Sequence, residues 1–230
     1  MKNKKINIAI FKFKFLLSRT ISSLKKKKIK KNLAFSNFEV LVKDKNFSTY
    51  WFLNNHNIIG SFLPLDQNET FNYLEIGSFE GLSSFFILSY WKNANVTCID
   101  TWETSKDDSQ ILDFNFEDVE KKFDKNLKDF SLRKIKSTSE MAFKQLKERD
   151  SFDYIYIDGS HNGIDIFNDA LASFKILNVG GIIIFDDINN IYNEIEMQPH
   201  DAFEKFYTLY KKKIKILYLK NIAVIKKTNY

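Results

Sequence analysis

A short apolar strand that runs into a glycine-bearing turn and then into a helix constrains the fold of this chain more than any other segment. It reads Tyr73-Leu-Glu75-Ile-Gly77-Ser-Phe-Glu-Gly81, and the apolar run 82–91 follows. This layout brings backbone N–H groups and a helix N-terminus close to a ligand, and glycines leave room where a β-carbon would obstruct it. The spacing Glu-x-Gly-x-x-x-Gly differs from the dinucleotide and P-loop fingerprints. We therefore expect a ligand loop of another kind.

Three further segments read as buried strands that end in a carboxylate: 95–100 ends at Asp100, 153–158 at Asp158, and 181–186 at the pair Asp186-Asp187. Ligands bind outside the carboxyl ends of parallel strands, so the fold would bring these acids to one edge. Asp100 also lies 23 residues after Gly77, near the spacing at which doubly wound folds place an acid against ribose hydroxyls. The alternative is that each aspartate caps the turn that follows it.

Alternation of strands and helices from residue 73 onward predicts an α/β domain with a doubly wound, mostly parallel sheet. The final pair, 214–219 and 222–226, flanks Lys220-Asn221 and reads as an antiparallel hairpin. We expect an extension over residues 1–32, a lead-in segment over the pocket at 33–70, and the main domain at 71–230. The expected strands are 73–77, 95–100, 132–136, 153–158 and 181–186, and the expected helices are 82–91, about 108–128, 139–148, 163–177 and 199–212.

The basic charge of the chain belongs to its N-terminal tail. Residues 1–38 carry twelve Lys or Arg and no acid, so the remainder has a net charge of −6. This mildly acidic body gives no support to a nucleic-acid substrate lying across it. The single cysteine, Cys98, excludes a disulfide framework and a cysteine-rich zinc site, fits a reducing cytosol, and is expected to be a small buried core residue.

The tail itself combines an apolar stretch, 6–24, with the lysine run 25–31. Lys12, Lys14 and Arg19 interrupt the apolar stretch, which argues against a membrane-spanning helix. A basic, aromatic-rich segment of this kind could lie on an anionic membrane surface. The alternative is a solvated or loosely docked helix. We expect a cytoplasmic protein, with peripheral contact at the inner face of the membrane through residues 1–32 as the further hypothesis.

The glycine loop resembles the first motif of class I S-adenosylmethionine-dependent methyltransferases, and the resemblance covers roughly residues 60–228. It is closest to a small O-methyltransferase-like group with Asp-Gly-x-His after the fourth strand and Gly-Gly-(apolar)-Asp-Asp after the fifth. This chain has Asp158-Gly-Ser-His161 and Gly180-Gly-Ile-Ile-Ile-Phe-Asp186-Asp187, and 99–103 is similar to the group's second motif. The resemblance implies a Rossmann-like, seven-stranded sheet with one antiparallel strand at the C-terminal hairpin.

The resemblance also implies the ligands of the site. The S-adenosylmethionine contacts would be Glu75, Gly77, Ser78, Gly81, Asp100, Trp102 and Ser139. Equivalent acids in the group hold a divalent cation, so Asp158, Asp186 and Asp187 are the candidate ligands for Mg²⁺, which prefers carboxylate oxygens. Methyl transfer needs a base for the acceptor hydroxyl, and His161 is the first choice because imidazole titrates near neutrality, with Asp158 beside it.

Each of these residues also has a structural interpretation that the sequence leaves open. His161 could orient a carboxylate, and related sugar methyltransferases place an acid near the position of Ser160, so the base has an alternative. Ser139 could be a helix N-cap, and Trp102 could pack in the core rather than against adenine.

The sequence therefore predicts a metal-assisted O-methyltransferase with a small, hydroxyl-bearing acceptor, a sugar or surface-glycan precursor by analogy, and homodimer formation as a further option. The alternative is a catalytically inactive, membrane-tethered binding module that keeps the fold. A base-modifying N-methyltransferase is disfavoured, since the only prolines, Pro64 and Pro199, exclude its Asn/Asp-Pro-Pro motif. No specific nucleic-acid partner is expected.

Overall fold

A seven-stranded sheet organises the described part of the chain. The computed structural model describes residues 35, 37–103, 118–146, 150–193 and 195–229. The strand order is β3-β2-β1-β4-β5-β7-β6, with β7 antiparallel to its neighbours β5 and β6 and the other pairs parallel. This confirms the predicted fold class. The strands are β1 Asn72–Ile76, β2 Asn95–Asp100, β3 Arg133–Lys136, β4 Phe152–Ile157, β5 Leu177–Phe185, β6 Ile214–Leu219 and β7 Ala223–Lys227.

Helices connect the parallel strands, as crossover connections require. Within the lead-in, two short α-helices flank a 3₁₀ turn at Trp51–Asn54. The helices are α1 Phe38–Val42, α2 His56–Gly60, α3 Leu82–Tyr90, α4 Val119–Leu127, α5 Ser139–Gln145, α6 Gly163–Ile176 and α7 Pro199–Tyr210. No helix within the described ranges is long and apolar enough to cross a membrane.

The lead-in is held to the sheet by an aromatic cluster on the α3 side. Phe38 is fully buried and packs edge-on against Phe86 of α3, with ring centroids 4.9 Å apart. Phe52 lies 6.2 Å from Tyr156 of β4. Offset and edge-on pairs add to the burial of apolar area. The lead-in therefore packs beside the carboxyl half of the central strands.

Two predicted elements differ from the structure by more than three residues, and the other predicted boundaries lie within three residues of the observed ones. The helix expected at about 108–128 is seen as α4 at Val119–Leu127, and residues 108–117 lie outside the described ranges. The fifth strand begins at Leu177 rather than at 181. The strand instead continues through the Gly180-Gly181 pair with an irregularity: Gly180 has a φ of +89°, and the register with β4 shifts between Phe152 and Tyr154.

Candidate functional site

The turn between β1 and α3 depends on two glycines with positive φ, at +86° for Gly77 and +85° for Gly81. A β-carbon on Gly77 would lie 2.5 Å from the carbonyl carbon of Asp158 and from the α-carbon of Gly159. A β-carbon on Gly81 would lie 2.8 Å from Leu127 Cδ1. Gly77 thus lets the β1–α3 turn pass directly beside the turn that carries Asp158, and Gly81 lets the start of α3 approach α4.

Glu75 lies beneath this loop with no exposed surface. Its carboxylate accepts hydrogen bonds from the hydroxyls of Ser83 and Ser84, in the first turn of α3. Burial raises the pKa of Glu75 to about 7, and the two hydroxyls oppose that shift. Ser78 is also buried, and its hydroxyl lies near Glu75 without a well-formed hydrogen bond. Glu75 therefore holds the start of α3, while its role toward a cofactor stays a prediction.

Asp100, at the end of β2, ties two loops together. Its Oδ2 accepts a 2.8 Å hydrogen bond from the backbone N–H of Phe79, and its Oδ1 accepts a 2.7 Å bond from the N–H of Trp102. Both donor residues have positive φ, 45° and 50°. Asp100, the acid predicted to bind the cofactor, is thus partly exposed and lies between the β1–α3 turn and the loop that follows β2.

Trp102 packs into the protein. It is 5% exposed, its indole N–H donates a 2.8 Å bond to the carbonyl of Phe79, and its ring lies 4.8 Å from that of Phe123. The Lys134 ammonium lies 4.5 Å from the indole centroid, within cation–π range. These contacts describe a core residue that supports the loop, and stacking on adenine stays a prediction.

Ser139 is not the N-cap of α5, as one interpretation of the sequence expected. Thr138 is the cap: its backbone is extended, and its Oγ1 accepts a 3.4 Å bond from the N–H of Met141. Ser139 instead faces Asp169. Burial raises the pKa of Asp169 to about 7, and the hydrogen bond from Ser139 opposes the shift. Thr138 and Ser139 both carry the hydroxyl that an N-cap needs. Thr138 is the cap because the side chain of Ser139 bonds to Asp169 instead.

The predicted acids converge where β4 and β5 end. Asp158, Asp186 and Asp187 line one small cleft together with His161. Asp186 accepts hydrogen bonds from the hydroxyl of Tyr156, from Asn55 Nδ2 at 3.2 Å, and from the N–H of Asp187 at 2.8 Å. Asp187 has a φ of 50°, and its Oδ1 accepts a 3.0 Å bond from Asn221 Nδ2.

These carboxyl groups repel one another in a poorly solvated place. Burial is the main cause that raises the pKa of Asp158 well above its usual value, followed by the charges of Asp186 and Asp187. Burial likewise raises the pKa of Asp186, and the hydrogen bond from Tyr156 opposes the shift. A dense group of acids without a cationic side chain among the residues of the cleft attracts either protons or a cation.

The donor chemistry of this cleft fits a hard divalent cation, because Mg²⁺ takes oxygen ligands. Yet the described residues contain no group of three or more His, Cys, Asp or Glu side chains arranged to hold a metal ion. Asp186 in particular already accepts three hydrogen bonds. The three aspartates thus lie in one cleft, as predicted, and their binding of a metal ion stays a prediction.

His161 is held by a ring rather than by hydrogen bonds. Its imidazole stacks on Tyr192 with centroids 4.5 Å apart and planes 20° apart. Within the described part of the chain it forms no hydrogen bond or ion pair. The other two histidines differ: His56 is buried with Nδ1 2.7 Å from the carbonyl of Leu53, and His200 Nε2 lies 3.2 Å from Asp201. Among the three histidines, His161 alone lies beside the acids and has ring nitrogens that bond to no described residue.

Sequence reasoning missed three residues of the site: Asn55, Tyr156 and Tyr192. The alternation within β4 could have indicated Tyr156, because residue 156 lies two positions before Asp158 and so shares its face. Asn55 and Tyr192 come from segments without a regular pattern, and tertiary folding alone brings them to the cleft.

A separate cavity of about 1020 Å³ opens at the opposite edge of the sheet. Its wall includes Asn72, Asn95, Arg133 and Phe152, which begin four of the parallel strands. None of the predicted site residues lines it. The ends of the strands that carry the acids, rather than this wider opening, therefore form the candidate site.

Comparison with known proteins agrees with this geometry. The chain matches the family described as "Methyltransferase domain" over residues 74–188, half of its length. It is 28% identical over 161 residues to the uncharacterized protein R132 of Acanthamoeba polyphaga mimivirus, an alignment that covers 69% of each chain.

Two solved structures share the fold. The O-methyltransferase TomG of Streptomyces achromogenes, involved in tomaymycin synthesis and solved with S-adenosylmethionine, has a TM-score of 0.54 and 13% identity over 93% of this chain and 96% of its own. MycE of the mycinamycin pathway, solved with Mg, S-adenosylhomocysteine and mycinamycin VI, has a TM-score of 0.54 and 15% identity over 89% of this chain and 56% of its own.

The family match begins in β1 and ends just after Asp187, so it contains the glycine turn, Asp100, and the acids that line the cleft with His161. The positive-φ glycines and the aspartates at the strand ends all lie inside that match, together with strands β2 to β5. The chain belongs to the methyltransferase-domain family.

Proposed function

We propose that the protein transfers the methyl group of S-adenosylmethionine to an oxygen of a small, hydroxyl-bearing acceptor. The observation that carries the proposal is that the turn at Gly77 is bonded to Asp100 on one side and lies beside the turn of Asp158 on the other. The Asp100 carboxylate holds the first loop through Phe79, while Gly77 brings that loop beside the turn of Asp158. A cofactor at the first loop would therefore lie next to an acceptor in the cleft. TomG, which shares the fold, was solved with S-adenosylmethionine.

The chemistry asks little of the protein beyond alignment and proton removal. When bound, S-adenosylmethionine supplies a methyl group that its sulfonium already activates. In the proposed mechanism Asp100 binds the ribose hydroxyls, and His161 accepts the proton of the acceptor hydroxyl on an imidazole nitrogen. The imidazole suits this task because no described residue occupies its nitrogens. The carboxyl group of Asp158 would stabilise the imidazolium that forms.

A divalent cation is the second part of the proposal. Asp158, Asp186 and Asp187 would hold it, and it would lower the pKa of an acceptor hydroxyl and fix its position. Mutual repulsion of these acids supports the idea, since a cation would relieve it. MycE was solved with Mg. No proton-transfer step above depends on the cation.

Thermal unfolding with S-adenosylmethionine tests the cofactor without an acceptor. At roughly 100 times its dissociation constant, a ligand bound only by the native state stabilises by about 2.7 kcal/mol. We expect a clear increase in Tm, and an Asp100→Asn variant should need a higher ligand concentration for the same increase. Folded protein with no increase would favour the alternative, a binding module that keeps the fold without catalysis.

The charge of the residues that line the cleft indicates which class of acceptor it would bind. The residues that line the cleft include three aspartates and no Lys or Arg. This favours neutral, hydroxyl-rich acceptors such as a sugar or glycan precursor over phosphates. A radiolabelled methyl-transfer screen of glycosides and sugar phosphates, with and without Mg²⁺, would test it. Transfer confined to sugar phosphates would contradict the assignment.

Peripheral membrane contact through residues 1–32 stays a separate proposal, which rests on charge and apolar content alone. Flotation with anionic vesicles should separate the full chain from a chain lacking residues 1–32. Equal flotation of both would contradict it.

A further inference from the structure

The ring of Tyr192 and the imidazole of His161 come from different loops. His161 lies in the turn between β4 and α6, and Tyr192 lies in the loop between β5 and α7. Their rings stack with centroids 4.5 Å apart and planes only 20° apart. Such near-parallel contact is a preferred geometry for aromatic pairs when the rings are offset. The stack therefore joins two loops next to the cleft that His161 lines.

The two loops are tied by the backbone as well. The N–H of Gly163 donates a 2.7 Å hydrogen bond to the carbonyl of Met197. A β-carbon on Gly163 would lie 2.5 Å from the carbonyl oxygen of Gln198, so only glycine permits this approach. The distance between the two loops is thus set by backbone contact two residues after His161.

Tyr192 is itself held at both backbone groups. Its N–H donates a 3.0 Å bond to Gln198 Oε1, and Gln198 Nε2 donates a 2.8 Å bond to its carbonyl. Asn190 Nδ2 donates a 3.3 Å bond to the phenol oxygen. Gln198 is also the residue before α7, so the start of that helix fixes the side chain that holds Tyr192. The neighbouring Ile191, by contrast, is 80% exposed.

A general base has two requirements that usually conflict. It must be held in one orientation, yet the nitrogen that receives the proton must stay available. Hydrogen bonds orient His56 by occupying its Nδ1. Stacking orients a ring through its face and leaves the in-plane nitrogens available, which is the arrangement of His161.

We propose that Tyr192 is a positioning residue that sets the plane of the His161 imidazole and leaves both of its nitrogens open to the acceptor. This inference rests on the proposed function, in which His161 is the base. Burial is the main cause that raises the pKa of Tyr192 to about 12, with smaller contributions from the nearby charges of Asp187 and Asp158, so the phenol stays neutral across the working pH range. Rotation of the phenol ring away from the stack would release the imidazole.

Proton NMR of the full chain tests the proposal without cofactor or acceptor. The chain has only three histidines, so a His161→Gln variant assigns the carbon-bound ring protons of His161 by their loss. We expect nuclear Overhauser contacts between these protons and the Tyr192 ring in the unmodified protein. We also expect a Tyr192→Leu variant to move both resonances downfield, because the aromatic ring current is lost, and Tyr192→Phe to restore them.

An Ile191→Ala variant is the matched control, because it changes the adjacent exposed side chain and should leave both resonances in place. Absence of the Overhauser contacts in the unmodified protein would overturn the proposal, even if Tyr192→Leu failed to fold. Unchanged resonances in a folded Tyr192→Leu variant would overturn it too. The NMR experiment can fail while the proposed function stands, because S-adenosylmethionine binding is tested separately by thermal unfolding and by the Asp100→Asn variant.

Discussion

Gly77 and Asp158 touch through their backbones, and this contact joins the two halves of the site. A β-carbon on Gly77 would lie 2.5 Å from the carbonyl carbon of Asp158. Gly77 also donates its N–H to the carbonyl of Ile99 at 2.8 Å, so the turn is held from the β2 side as well. The glycine that the sequence assigns to a cofactor is therefore required by the protein's own packing.

Gly77→Ala should destabilise the protein through two separate effects. Positive φ costs a residue with a β-carbon about 1–2 kcal/mol, and overpacking adds about 1–3 kcal/mol. Gly180→Ala is the matched control, because its φ is +89° and no atom lies within 4 Å of the added carbon. Urea unfolding should show the larger loss for Gly77→Ala. Equal losses of unfolding free energy in the two variants would mean that the Gly77 turn can move away from the Asp158 turn at no energetic cost.

The buried Glu75 predicts how stability depends on pH. Its folded pKa of about 7 lies above the ordinary 4.5, so its contribution is complete below pH 4.5 and is lost as the pH rises to about 7. Glu75→Gln should reduce the fall in unfolding free energy between pH 5 and pH 7, by at most about 1.4 kcal/mol per pH unit. Exposed Glu69→Gln should leave the slope unchanged. An identical slope in Glu75→Gln would contradict the burial argument.

The hydroxyl of Tyr156 should stabilise the ionised form of Asp186. Removing one partner of a buried hydrogen bond costs about 1–3 kcal/mol. We therefore expect Tyr156→Phe to lower the unfolding free energy, and more so at pH 8 than at pH 5, since the bond opposes the raised pKa of Asp186. Tyr154→Phe serves as the control, because Tyr154 lies in the same strand and its hydroxyl donates no hydrogen bond to a described residue. A larger loss for the control would contradict the assignment.

Lys227 closes the end of α6 from inside the protein. It is 4% exposed, and its ammonium donates hydrogen bonds to the carbonyls of Phe174 at 2.9 Å and Leu177 at 2.7 Å. Hydrogen bonds to charged groups contribute about 1.5–3 kcal/mol each, so Lys227→Met should be clearly destabilised. Exposed Lys226→Met, its neighbour in β7, should unfold like the parent in urea. Similar unfolding of both variants would show that the carbonyls find other partners.

Substitution of Asp187 tests most directly whether the cleft binds a divalent cation. Asparagine tolerates a φ of 50°, so Asp187→Asn removes charge without adding strain. We expect Mg²⁺ to raise the Tm of the parent but not of this variant, while S-adenosylmethionine raises the Tm of both. Exposed Asp44→Asn should behave like the parent. Absence of a Mg²⁺ effect in the parent, in the presence of cofactor, would show that the cation prediction is wrong.

Local patterns were sufficient for the order of strands and helices. Apolar runs that end in aspartate mark β2, β4 and β5, because a parallel strand buried on both faces needs continuous apolar sequence. The hairpin of β6 and β7 was likewise predicted from two short apolar runs around Lys220-Asn221. The start of β5 was not, since Gly180-Gly181 has no side chains with which to signal a strand.

By itself the sequence indicated a mostly parallel sheet and the edge at which its acids meet, since the alternation of strands and helices and the aspartates at the strand ends can be read from the chain alone. Only the tertiary structure decided what each acid contacts. Asn55 bonds to Asp186 across 131 positions of sequence, and Tyr192 stacks on His161 from a loop without periodic pattern. Such pairs depend on how loops pack against a completed sheet, and no local rule of spacing encodes that packing.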